Sequence, residues 1–255
     1  MTPSFVCALI AIAMATGILT GLTGASGMSI LISGLLLAGV DIREIIALTF
    51  VVTLANGIAS SIPYYRGGLV DRRLVSTVGL SAAAAVYPGF WMSHFVPDSI
   101  LKWGVLSGLL VAGLKLLWKP ATQKQEKQTS DQATQYSLPQ EIAAGLAFGI
   151  AMGISGGGGG IFIAVVLILF FKKNAKPAIG TSIVIMALSA IPGCLLHASQ
   201  ANINWSIAAV VIPVSFVVAF LAARIGRKIP EAYAKRGVGL YLVAIFLIML
   251  VKVIL

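Results

Sequence analysis

The sequence predicts an all-α polytopic membrane protein made of two repeated halves, inverted relative to each other, each with a helix broken at a glycine cluster. Three observations carry that prediction. The 255 residues are 58% hydrophobic and only 10% charged, whereas soluble domains carry about 25% charged residues; the mean hydropathy is +0.99. A glycine-dense stretch occurs twice, as Gly21-Leu22-Thr23-Gly24-Ala25-Ser26-Gly27 and as Gly153-Ile154-Ser155-Gly156-Gly157-Gly158-Gly159-Gly160. A constant offset of 132 lays one on the other, so that Gly17 meets Gly149, Gly21 meets Gly153, Thr23 meets Ser155, Gly24 meets Gly156 and Gly27 meets Gly159. Thr49 then falls on Thr181 and Ala55 on Ala187. With a slip of one residue, Pro97 meets Pro230, Lys102 meets Lys235 and Gly104 meets Gly237.

Each element follows from length against a hydrocarbon core of roughly 30 Å, which a helix of about 20 residues crosses. The first apolar stretch, from about Phe5 to Val40, is too long for one crossing. The cluster at 21–27 splits it into a fuller piece and a short helix from about Met28, and Asp41-Ile42-Arg43-Glu44 ends it. Next come about Ile45 to Ile62, Leu74 to Ser93 with Pro88 as a kink, and Ile100 to Trp118. Trp103 and Trp118 stand at opposite ends of that last segment as an aromatic belt, and Lys102 and Lys115 lie where they can snorkel. The second half repeats the plan: about Ile142 to Phe171, broken at 155–160 with a short helix from about Ile161, then Ala178 to Leu196, Trp205 to Ala223 and Gly237 to Leu255. That makes eight long apolar segments, or about ten passes when the short helices are counted. Residues 1–118 form one transmembrane repeat and 141–255 the other; 119–140, rich in Gln, Lys and Thr, is a polar linker.

The net charge of +10 does not describe a nucleic-acid surface, because the basic residues sit between apolar runs and form no aromatic-basic face. Fourteen of the eighteen Lys and Arg lie in four connections, at 64–73, in the linker, at 172–176 and at 224–236. Counting each broken stretch as two passes, or as one re-entrant hairpin, puts all four on the same side. The positive-inside rule makes that side the cytoplasm, with both termini outside. Five passes per half is an odd number, which inverts one half against the other. Unbroken helices in a four-plus-four arrangement with parallel repeats are the alternative. Cys7 and Cys194 lie in apolar segments without metal-ligand spacing and read as buried thiols. The Met1-Thr2-Pro3-Ser4 start has no basic n-region, so the first span is read as retained. Nothing in the pattern calls for a cofactor or a metal.

The breaks carry the chemistry. Backbone N–H groups freed by a glycine break are tolerated in a membrane only when buried in protein or lining a wet cavity. The short helices that follow would present N-terminal amides and positive dipole ends, which favour anions. Glycine permits close backbone approach, and Thr23, Ser26 and Ser155 add hydroxyl donors. The candidate substrate-binding residues are therefore Thr23, Gly24, Ser26, Gly27, Ser155, Gly156, Gly157, Gly158 and Gly159, with Asn56, Thr49, Thr181 and Ser182 as further cavity-lining groups. The competing reading gives the glycines to helix packing and the polar side chains to interhelical hydrogen bonds. All eight acidic residues lie near segment ends or in loops, which suits a small anion and argues against a cation site or a carboxylate proton relay. His197, near the end of its segment, reads as an interfacial hydrogen-bonding residue.

Gly153-Ile154-Ser155-Gly156 and His197 superficially resemble the serine and histidine pair of rhomboid intramembrane proteases. The first repeat has Thr23 in place of Ser155 and Tyr65 in place of His197, and the Arg-rich first-loop signature of rhomboids is absent. The layout as a whole resembles the TauE/SafE family of sulfite exporters and related anion permeases. The resemblance rests on the Gly17, Gly21, Gly24 spacing, its partner Gly149, Gly153, Gly156 to Gly159, and Ala178-Ile179-Gly180-Thr181-Ser182. It covers the chain apart from the linker. It implies a secondary transporter that exports sulfite or organosulfonates across a bacterial inner membrane by alternating access. An anion channel and a non-transporting membrane scaffold are the alternatives. Ala25 and Ser26 stand where the second repeat has Gly157 and Gly158, so the two half-sites are expected to differ.

Overall fold

A computed structural model describes residues 3–92, 137–155, 160–198, 203–230, 233–234, 236–238 and 240. Eight helices are described: α1 Pro3–Thr23, α2 Met28–Leu37, α3 Ile42–Arg66, α4 Arg72–Met92, α5 Leu138–Ser155, α6 Gly160–Leu169, α7 Ala175–Ala198 and α8 Trp205–Gly226. Five of them (α1, α3, α4, α7 and α8) contain stretches long and apolar enough to cross a membrane, and α5 is a shorter apolar helix. The protein is an all-helical polytopic membrane protein. The expected segment at 100–118, most of that at 237–255 and most of the linker lie outside the described residues.

Local chemistry sets the helix ends. Gly39 takes φ 79° after α2, and the amides of Gly39 and Val40 bond back to Leu36 and Leu35. Gly68, at φ 68°, closes α3 in the same way, with the Leu69 amide on the Tyr64 carbonyl. Asp71 caps α4 by accepting from the amides of Arg73 and Leu74, and Asn204 caps α8 by accepting from Ile207. Pro88 lies inside α4 as expected, but the departure from α geometry occurs earlier, as a π-helical turn at Val75–Gly79.

Glycine seams determine how the helices neighbour one another. On α1, a methyl at Gly17 would meet the Ser215 carbonyl of α8 at 2.6 Å, and one at Gly21 would meet the Ala219 carbonyl at 2.5 Å. On α5, Gly145, Gly149 and Gly153 face Val78 and Ser81, then Ala82 and Ala85, then Val86 and Phe90 of α4. Both pairs therefore run parallel, packed as closely as backbone on backbone allows. Gly27, which caps α2, and Gly34 within it face Thr16 and Ile12 of α1, so α2 folds back antiparallel along α1. The ten residues of α2 reach only about 15 Å at 1.5 Å per residue, half of the core. At the centre, α3 crosses α7 antiparallel, with Phe50 against Gly193, Gly57 against Ala187 and Tyr64 against Gly180.

The described basic connections gather at one end. Lys173, between α6 and α7, pairs with Asp71 at 2.7 Å, and Arg73 pairs with Glu141 at the start of α5 at 3.0 Å. Arg72 stacks over the Tyr65 ring, while the Tyr64 hydroxyl stands against Gly226 at the end of α8. Large apolar side chains such as Leu37, Leu80, Trp91, Leu195 and Ile225 are exposed along the outside. In a soluble protein such a surface would aggregate; here it is the face offered to lipid.

Candidate functional site

The first break is built from Thr23 to Gly27. Thr23 donates to the Leu19 carbonyl (2.7 Å) and accepts from the Ala25 amide (3.2 Å), which turns the chain out of α1. Gly24 and Gly27 hold φ 73° and 61°, the left-handed region that disfavours any Cβ. The amides of Ile30 and Leu31 bond to the Gly27 carbonyl, while those of Ser26, Gly27 and Met28 have no acceptor among the described residues. Ser26 is buried beside them. Gly27, the N-cap residue of α2, makes no side-chain cap bond.

The two breaks approach one another. A methyl on Gly160, the first residue of α6, would stand 2.5 Å from the Gly24 carbonyl oxygen and against the Met186 sulfur. A methyl on Gly24 would stand 2.8 Å from the Ser182 hydroxyl. Gly24, Gly160, Ser182 and Met186 are therefore one cluster, with α7 as the wall. Ser155 closes α5, but its side chain and Gly156, Gly157, Gly158 and Gly159 lie outside the described residues.

The remaining candidates differ in their surroundings. Asn56 is fully buried on α3, and neither its nitrogen nor its oxygen has a hydrogen-bond partner among the described residues. Its neighbour Gly57 packs on Ala187, next in sequence to Met186, which puts Asn56 at the level of the cluster. Ser182 donates to its own Ile179 carbonyl at 2.9 Å. Thr49 donates to Ile45 and Ile46 and is followed by Phe50. Phe50 packs on Gly193, seven residues and about 10 Å along α7 from Met186. The Thr181 hydroxyl accepts the Asp71 amide at 3.0 Å, so it serves the basic end. The side chain of His197 is not described.

Sequence reasoning missed Gly160 and Met186 as members of the cluster, and Thr16 and Thr20 on α1. Both threonines are buried and donate to carbonyls one turn earlier. Their spacing of four with a third threonine at 23 was the available signal. Among the described residues, Gly24, Gly160, Ser182 and Met186 of the cluster are uncharged. Glu141 is the only charged residue among the described buried ones, and it belongs to the ion-paired end. There, burial raises the Asp71 pKa, but hydrogen bonds from Lys173 and from the Leu74 and Arg73 amides outweigh it and hold the carboxyl below its usual value.

Comparison with known proteins follows the same outline. The family model described as Sulfite exporter TauE/SafE matches residues 9–249. The Bacillus subtilis Probable membrane transporter protein YdhB is 21% identical over 88% of this chain and 91% of its own length. The Probable membrane transporter protein YunE of the same organism is 23% identical over 86% and 88%. A Probable membrane transporter protein of Xylella fastidiosa is 34% identical over 45% of this chain and 44% of its own. No solved structure matches the chain. With the family model running through both broken segments and the helices around them, the chain belongs to the sulfite exporter TauE/SafE family.

Proposed function

We propose that this protein is a secondary transporter, an exporter of small sulfur-containing anions such as sulfite or organosulfonates, which holds the anion between its two glycine breaks and works by alternating access. The observation that carries the reading is the meeting of Gly160 with the Gly24 carbonyl beside Ser182. It sets the start of α6 against the first break, the turn that leads from α1 into α2. Amides and helix dipoles there supply the positive potential an anion needs without a lysine or arginine. Thr23, Gly24, Ser26, Gly27, Ser155, Gly156 to Gly159, Ser182 and Asn56 form the site in this reading, and Thr49 and Thr181 flank it.

Inverted repeats explain the helix pairing. α1 of the first half packs parallel on α8 of the second, and α5 of the second packs parallel on α4 of the first. Exchanging the halves turns one pair into the other, and the central antiparallel α3–α7 crossing maps onto itself. Residues 1–118 and 141–255 are the repeats and 119–140 the linker. The chain lies in a bacterial inner membrane with the basic end and linker in the cytoplasm and the termini outside. One repeat rocks against the other around the fixed site.

The test is counterflow of labelled sulfite in proteoliposomes, wild type against Gly158→Val, with folding of both verified separately. Saturable wild-type flux that a folded variant lacks supports the site. Equal flux moves the site elsewhere, and unsaturable flux without counterflow makes the protein a channel. No flux across a panel of sulfite, sulfonates and oxyanions makes it a scaffold whose glycines serve packing.

A further inference from the structure

Asn56 sets a chemical condition on the ligand. Its side chain is 0% exposed and its amide nitrogen and oxygen are both unpaired among the described residues. A buried polar group left unpaired is unfavourable, and a ligand that pairs with it removes that cost. The amide offers two N–H donors on Nδ2 and an acceptor on Oδ1. A bare oxyanion satisfies the donors alone, and the oxygen still needs an O–H or N–H.

No described hydroxyl supplies it, the buried Thr53 one turn earlier on α3 included. Ser60 donates to the Ala219 carbonyl, Ser189 to Ile185, Ser182 to Ile179 and Thr49 to Ile45 and Ile46. The charge balance adds a second condition. Among the described residues, no cation is buried at this level of the protein, and backbone dipoles are the positive groups that those residues offer a ligand. They offset one negative charge far better than two in a low-dielectric site. We infer, building on the anion-site reading above, that the transported ligand is a singly charged oxyanion that also carries a hydrogen-bond donor, with Asn56 as the residue that selects for that donor.

The test compares 2-hydroxyethanesulfonate, ethanesulfonate and sulfate in proteoliposome counterflow, using wild type and Asn56→Leu, which is close in volume. The two sulfonates are both monoanions and differ by one hydroxyl. Wild type should favour the hydroxylated one by at least about tenfold in KM, with sulfate the poorest of the three. In folded Asn56→Leu the ratio of the two sulfonates should fall toward one. Equal handling of the two sulfonates by wild type overturns the role of Asn56 whether or not the variant folds. A ratio unchanged in a folded Asn56→Leu does the same, and sulfate as the best ligand overturns the single-charge condition; all three leave the anion site standing. Absence of flux with every anion overturns the site reading and this inference together.

Discussion

Along α1, Gly17 and Gly21 are separated from Gly24 and Gly27 by a single turn, yet the two pairs meet different surroundings. The first pair lies in regular helix against the backbone of α8, and the same is true of Gly149 and Gly153 on α5 against α4. The second pair has positive φ and, in Gly24, faces a hydroxyl and the start of another helix. Missing side-chain volume is what the seams use; access to the left-handed region is what the break uses. A repeated glycine motif therefore contains two devices, and a substitution acts through whichever device it strikes.

The sharpest way to break this comparison is at a seam. Gly149→Val would drive a branched side chain into the Ala82 carbonyl and Ala85, where overpacking costs about 1–3 kcal/mol or more. The expected result is loss of a monodisperse folded species in detergent size-exclusion chromatography. Next in size is Gly27→Ala, which pays for a left-handed alanine with about 1–2 kcal/mol and presses on Thr16 at 2.6 Å. It should fold with a lowered Tm and lose most counterflow. A seam variant as stable as wild type would erase the distinction.

Smaller effects belong to the ion-paired end. Arg73→Ala leaves the Glu141 carboxylate, 3% exposed, without its partner, and about 1–3 kcal/mol of stability should be lost. Lys173→Met removes a partly exposed pair and should cost under about 1 kcal/mol. Its sign with pH is fixed by Asp71, whose carboxyl is held below its ordinary value despite the opposing effect of burial. Wild type should therefore exceed Lys173→Met in Tm at neutral pH, where the carboxylate is ionised in folded and unfolded chains alike. That margin should fade as the pH falls through the lowered value. Thermal melts over the acid range check it.

Much of this architecture was legible in the sequence because the bilayer allows few solutions. Segment lengths and the break after Thr23 follow from the hydrocarbon thickness and the need to satisfy backbone groups. The expected start of α2 at Met28 matches the structure, and α6 begins one residue before the expected Ile161. What the offset could not reveal was direction of contact. Gly17 and Gly149 read as part of one motif with the breaks, and only their neighbours on α8 and α4 identify them as seams. Thr181 is matched by Thr49 in sequence, but its hydroxyl is taken by the Asp71 amide, a partner 110 residues away. The π-helical turn at Val75–Gly79 has no sequence signal, and nothing in the structure explains it.

The central claim, that the break is a ligand site and not merely a turn, is tested most directly by two matched substitutions. Gly24→Ala and Gly39→Ala both force alanine to positive φ, 73° and 79°, but Gly39 has open space around it whereas Gly24 faces Ser182. Initial rates of labelled-sulfite counterflow, normalised to folded protein, should be near wild type for Gly39→Ala and at least about tenfold lower for Gly24→Ala. Equal rates in the two variants would contradict the account.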